Sequence, residues 1–132
     1  ELERVGRPAA GLVLLDTPWP DDLNGGVLTA LAREFMRRED NGPSDARFGT
    51  WLSTVGAYIR LMDNWEPQRH NVRTALVRAT DNLPDETSTQ GVRVRWRLPH
   101  DVVDVPGDHF TMVDEHAETT AKALDTWIDN LR

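Results

Sequence analysis

The stretch Gly11-Leu12-Val13-Leu14-Leu15-Asp16, followed by Thr17-Pro18-Trp19-Pro20, decides how the rest of the chain is read. An apolar run with no polar face suits a central strand of a parallel sheet better than an edge strand. The prolines stop it, because proline donates nothing to a ladder. Upstream, residues 1–8 read as the tail of a helix and a turn at Gly6-Arg7-Pro8. Downstream, Val27, Leu31 and Phe35 recur at four-residue steps, widened by Leu28, Ala32 and Met36, until Arg37-Arg38-Glu39-Asp40 ends the pattern. Asn41-Gly42-Pro43 breaks the chain, and Ser44 is the N-cap expected for a second helix carrying Phe48, Leu52, Val55, Ile59 and Met62 as one stripe.

Residues 72–80 predict a second strand, and Val102-Val103-Asp104-Val105, closed by Pro106-Gly107, a third core strand over 102–106. Between them lie a polar loop from Asp81 to Gln90 and the alternation Val92-Arg93-Val94-Arg95-Trp96-Arg97-Leu98, a short extended segment exposed on one side. The chain closes in a helix over 114–131, with Thr120, Leu124, Trp127, Ile128 and Leu131 on one face. The order strand, two helices, strand, strand, helix predicts an α/β fold with about three parallel core strands. Three strands are few for such a sheet, and the chain opens at Glu1 without methionine, so a portion of something longer is expected.

The 132 residues fit one domain, and 39% hydrophobic with 28% charged residues describes a globular chain. The net charge of −7, from 15 basic and 22 acidic residues, argues against nucleic acid as the main partner, which needs a basic face. Arg93, Arg95 and Arg97 are therefore read as an exposed amphipathic segment, with contact to an acidic partner as a further reading. No run reaches the roughly 18 apolar residues of a membrane span, and no export signal opens the chain, so a cytoplasmic location is expected. With no cysteine there is no disulfide, thiolate site or cysteine nucleophile. The four histidines lack metal-ligand spacing, and no metal or cofactor is expected.

Two residues stand out chemically. Asp16 ends a buried strand, at the edge where open α/β sheets place ligands. His109 lies in Pro106-Gly107-Asp108-His109-Phe110, the loop leaving the last strand. A carboxylate and an imidazole on neighbouring loops are two thirds of a nucleophile–base–acid system, in which the acid fixes the tautomer of the base. A strand-terminal Asp also serves as a turn residue, and a loop His is often incidental. Asp81, one strand later, is a rival acid, and Asp108 is expected to shape the loop. In an α/β-hydrolase the order is serine, acid, histidine, with the serine in a G-x-S-x-G elbow. Of Ser44, Ser53 and Ser88, none precedes Asp16. Gly42-Pro43-Ser44-Asp45-Ala46 imitates the elbow but follows a charged helical stretch, so no nucleophile is assigned within the chain.

The segments just quoted resemble the C-terminal half of a thioesterase domain from a modular polyketide synthase. Leu14-Leu15-Asp16-Thr17 with its prolines resembles the family's segment around the triad aspartate, although Pro18-Trp19-Pro20 stands where the family usually has tyrosine followed by prolines. Ser44-Asp45-Ala46-Arg47 through Val55-Gly56-Ala57-Tyr58 looks like a lid helix, and Ala75-Leu76-Val77-Arg78-Ala79 like the next strand. Val105-Pro106-Gly107-Asp108-His109-Phe110-Thr111-Met112, with Glu115-His116-Ala117, is close to a family signature. The resemblance implies a partial α/β-hydrolase with residues 21–65 as the lid, Asp16 as triad acid and His109 as general base. It places the serine and the dimer helices in an N-terminal half outside this chain, and makes the full protein a homodimer.

It further implies release of an acyl chain from the phosphopantetheine arm of an acyl carrier protein, by hydrolysis or macrolactonisation. The chain alone is then expected to be inactive. Two other readings stay open, a non-catalytic fragment that works by association and a stand-alone editing thioesterase.

Overall fold

The computed structural model describes residues 2, 5–23, 25–38, 45–62, 65–82 and 93–131. They form β1 (Leu12–Leu15), a 3-10 turn at Pro20–Asp22, α1 (Gly25–Arg38), α2 (Asp45–Met62), β2 (Thr74–Ala79), β3 (Asp101–Val105), a 3-10 turn at Thr111–Val113 and α3 (Ala117–Asp129). The chain divides into two compact units, one holding the sheet and α3, the other α1 and α2.

In the sheet unit all pairings are parallel, in the order β1-β2-β3, with Leu14 opposite Leu76, and Val77 opposite Val103. The apolar pattern on both faces had pointed to β1 as the central strand, yet β2 takes that place. Ala75, Leu76 and Val77 are fully buried, whereas Leu12 and Leu15 of β1 are 36% and 43% exposed. A strand paired on one side only leaves part of its apolar surface in solvent. β3 pairs on the other side of β2, with Val102 exposed and Val105 buried in the core.

Side chains alternate across a strand, so β2 builds two cores. On one face Val77 and Ala79 pack with Val105 and Met112, joined by Ala123 and Leu124 of α3. On the other, Leu76 packs with Trp19 and Trp96, joined by Val94 and Leu98. The segment 93–98 crosses that face without strand pairing, and its alternation survives: Arg93, Arg95 and Arg97 are exposed, Trp96 buried. Trp19 and Trp96 meet edge to face at 5.0 Å. Arg97 lies 5.2 Å over Trp19, and Arg93 reaches Asp104 at 3.4 Å. Burying Leu76 or Val77 contributes about 1.5–3 kcal/mol each.

The C-terminal helix starts at Ala117, later than residue 114. Asp114, with φ −122° and ψ −92°, breaks helical geometry after the 3-10 turn, and His116 stands at the N-cap. Thr120 and Trp127 are buried as expected, while Ile128 is 41% exposed and off the packed face. The turn at Gly6-Arg7 is present: Gly6 has φ +72°, and Arg7 N donates to Leu2 O at 3.0 Å.

In the helical unit, Trp51 stacks with Phe35 (5.1 Å) and with Phe48 (6.0 Å), whereas Leu52 of the expected stripe is 47% exposed. Leu28, Ala32, Val55 and Ile59 line a groove of about 490 Å³ between α1 and α2. The expected break at Asn41-Gly42-Pro43 and the Ser44 cap lie outside the described residues. Among the described residues no helix is long and apolar enough to cross a membrane.

Candidate active site

Parallel strands bring their carboxyl ends to one rim of the sheet, and the two residues singled out by sequence meet there. Asp16 follows β1 with φ +40°, in the left-handed region that Asp tolerates better than most residues. Its own N–H donates to Val77 O at 2.7 Å. Its carboxylate is 8% exposed and has two partners: Oδ1 accepts from Ala79 N at 3.1 Å, and Oδ2 faces His109 Nδ1 at 3.0 Å. Since a carboxylate only accepts, Nδ1 carries the hydrogen and Nε2 presents its lone pair in the neutral ring. The backbone amide at the end of β2 therefore aims one oxygen, and the other aims the imidazole.

The loop that carries His109 is built by reciprocal capping. Asp108 Oδ1 accepts from Phe110 N (2.8 Å) and Thr111 N (2.9 Å), while Asp108 N donates to Thr111 Oγ1 at 2.7 Å. The loop-shaping role expected of Asp108 is thus the one its hydrogen bonds describe. Gly107, with φ +91°, lies so close to the next turn that a Cβ would come within 2.5 Å of both His116 Cδ2 and Thr111 Oγ1. Thr120 of α3 anchors the far side through Oγ1 to Met112 O at 2.7 Å. Phe110 stands edge-on to the His109 ring at 5.2 Å. With 35% of its side chain exposed, His109 keeps one edge open to a reactant.

Asp81, the rival acid, is exposed in the bend after β2, where its carboxylate accepts from Thr80 Oγ1 at 3.3 Å. Its N–H bonds Gly107 O at 2.9 Å, so it extends the β2–β3 ladder. Behind the site Arg78 is paired with Asp104 through Nε at 2.8 Å and Nη2 at 3.1 Å. The bond to Asp104 is the largest cause that raises the Arg78 pKa, and the Asp16 charge adds a smaller push. Asp104 is held below the ordinary carboxylate range, first by that same bond. Sequence reasoning missed the Ala79 amide, which has no side-chain signature, and the left-handed turn at Asp16. The Asp108-x-x-Thr111 spacing was a readable cap signal. Ser53 lies in α2, and Ser44 and Ser88 fall outside the described residues.

The family model for the thioesterase domain matches residues 1–128. The chain belongs to the thioesterase domain family. It is 37% identical over 130 residues to polyketide synthase GfsE of Streptomyces halstedii, an alignment covering 98% of this chain and 3% of that protein. It is also 37% identical over 133 residues to erythronolide synthase EryA3 of Saccharopolyspora erythraea, covering 97% of this chain and 4% of that protein. The spectinabilin polyketide synthase system protein NorC of Streptomyces orinoci is 34% identical over 137 residues, with 99% and 6% covered. The chain thus spans only a few per cent of the length of these relatives. The mixed α/β structure with a three-stranded parallel sheet is consistent with part of an α/β-hydrolase-like thioesterase fold.

Proposed function

We propose that this thioesterase chain supplies the acid and the general base for releasing an acyl chain from a carrier protein, through a serine acyl-enzyme. The single observation that carries the reading is the 3.0 Å contact between His109 Nδ1 and Asp16 Oδ2, with Ala79 N on the other carboxylate oxygen. In the first step His109 Nε2 takes the hydroxyl proton as the serine oxygen attacks the thioester carbonyl. The imidazolium then protonates the departing thiolate. In the second step the same nitrogen takes a proton from water, or from a hydroxyl of the acyl chain, and returns one to the serine oxygen. Asp16 stays ionised throughout and stabilises the imidazolium. Water gives an acid, and an internal hydroxyl gives a lactone. The serine is supplied from outside the described residues, and the apolar groove between α1 and α2 suits the lid role that the family resemblance implies for residues 21–65.

The test is turnover of an acyl N-acetylcysteamine thioester by the chain alone, and by the chain joined to a serine-bearing N-terminal segment, each with and without His109→Ala. Activity of the joined protein only, abolished by His109→Ala, supports the reading. Turnover that survives His109→Ala overturns it. Association of the two segments without turnover replaces it with a binding role.

A further inference from the structure

The rim opposite Asp16 and His109 carries a second cavity. Where β2 and β3 begin, residues 69–74 and 98–101 wall a space of about 480 Å³, within the range of small-molecule sites. Six residues of β2, about 20 Å at roughly 3.3 Å per residue, separate it from the candidate active site. Its lining runs against the charge of the chain. In a protein of net charge −7, Arg69, His70, Arg73 and His100 face one carboxylate, Asp101.

That carboxylate is already engaged. Asp101 Oδ2 accepts from Arg73 Nη2 at 2.7 Å and from Trp127 Nε1 at 2.9 Å. Arg73 is held in place by this bond, by a second from Nη1 to Asn130 O at 2.9 Å, and by the Trp127 ring 5.9 Å away. A guanidinium has five N–H donors, and these bonds leave others open toward the cavity wall. His100 is likewise fixed, its Nδ1–H donating to Leu98 O at 2.7 Å. Among the described residues, the side chains of Arg69, His70 and Asn71 make no hydrogen bond or ion pair. One wall therefore holds a pre-positioned cation, and the adjoining segment adds exposed cationic and amide donors that no other side chain engages.

We infer that this cavity binds a phosphate monoester, gripped between Arg69 and the fixed guanidinium of Arg73. Two permanently charged guanidinium groups lining one cavity match the near-double negative charge of a phosphate monoester better than the single charge of a carboxylate. Leu98 and Pro99 supply apolar surface for the organic body of the ligand. The site shares no lining residue with the proposed hydrolytic site.

The experiment is calorimetric titration of the intact protein with adenosine monophosphate, inorganic phosphate and adenosine, repeated with Arg69→Glu. Arg69 is exposed and unbonded, so its reversal leaves the fold intact. Saturable binding of the monophosphate at about 1 mM or tighter, absent for adenosine and weakened at least about tenfold by Arg69→Glu, supports the site. Binding of inorganic phosphate but not the monophosphate keeps the anion site and overturns the organic monoester as its occupant. Binding that Arg69→Glu leaves unchanged, or no binding of either phosphate, overturns the inference. As a second handle His109→Ala is expected to bind the monophosphate as tightly as the parent.

Discussion

Asp16 and Asp101 stand at opposite rims of the same sheet, and each holds a nitrogen-bearing side chain from a distant part of the chain, but with opposite consequences. Asp16 is buried, fixed by a backbone amide, and paired with an imidazole whose other edge is half-exposed. Asp101 is exposed and paired with an indole and a permanently charged guanidinium, which hold it below the usual carboxylate range, Trp127 most strongly. The first arrangement is the one the proposed hydrolysis would use, and the second ties chain segments together through Arg73 and Trp127. Burial and the backbone amide on Asp16, not the presence of an ion pair, distinguish the two carboxylates.

Breaking the first pair has the largest expected effect. Asp16→Asn keeps the shape and the tolerance for positive φ but removes the charge that fixes the His109 tautomer. In the serine-bearing protein, thioester turnover should fall by about 10³–10⁴-fold, whereas Asp81→Asn should leave it near the parental rate. Equal losses from both would erase the distinction between the two acids.

The next effect is on stability. Gly107→Ala forces a Cβ against His116 and Thr111 at a φ of +91°. It should cost about 2–4 kcal/mol in denaturant unfolding, with activity lost alongside because His109 rides on the same loop. A cost under about 0.5 kcal/mol would mean that the loop relaxes and that the capping by Asp108 does not fix the imidazole.

The structural carboxylates sharpen the comparison through pH. Asp101 and Asp104 are both depressed in the folded state, Asp101 chiefly by Trp127 and Asp104 chiefly by Arg78. Their contribution is complete above the unfolded carboxylate pKa near 4 and fades as pH falls through the lower folded values. The Asp101→Asn, Asp104→Asn double variant should therefore be less stable at pH 7 and show a flatter loss of thermal midpoint between pH 5 and pH 2. A parallel loss in both proteins would mean that these pairs hold nothing together. At the small end, Lys122→Ala breaks only the exposed pair with Glu118, at 2.6 Å, and should shift stability by less than about 0.5 kcal/mol.

Much of the architecture was legible because hydrophobic period is a local property. β2 and the two helices of the helical unit follow from runs and stripes, and the turn at Gly6 and the cap at Asp108 from residue type. The misreadings share one cause. β1 looked central because an apolar run reports what a strand tolerates, while the strands paired with it decide which place it takes. The final helix started later than expected because Thr111–Val113 takes a tighter turn and Asp114 leaves helical geometry, a choice made by packing of Met112 and Thr120 rather than by propensity.

The sequence by itself determined the α/β class, the family resemblance and the two residues worth testing, since strand ends, loop chemistry and motif spacing are written along the chain. Only the tertiary structure decided that Asp16 rather than Asp81 faces His109, that Ala79 N aims the carboxylate, and that Arg73 meets Asp101. Each joins residues far apart in the chain or rests on a backbone group with no side-chain signal, and parallel strand pairing alone brings them within bonding distance.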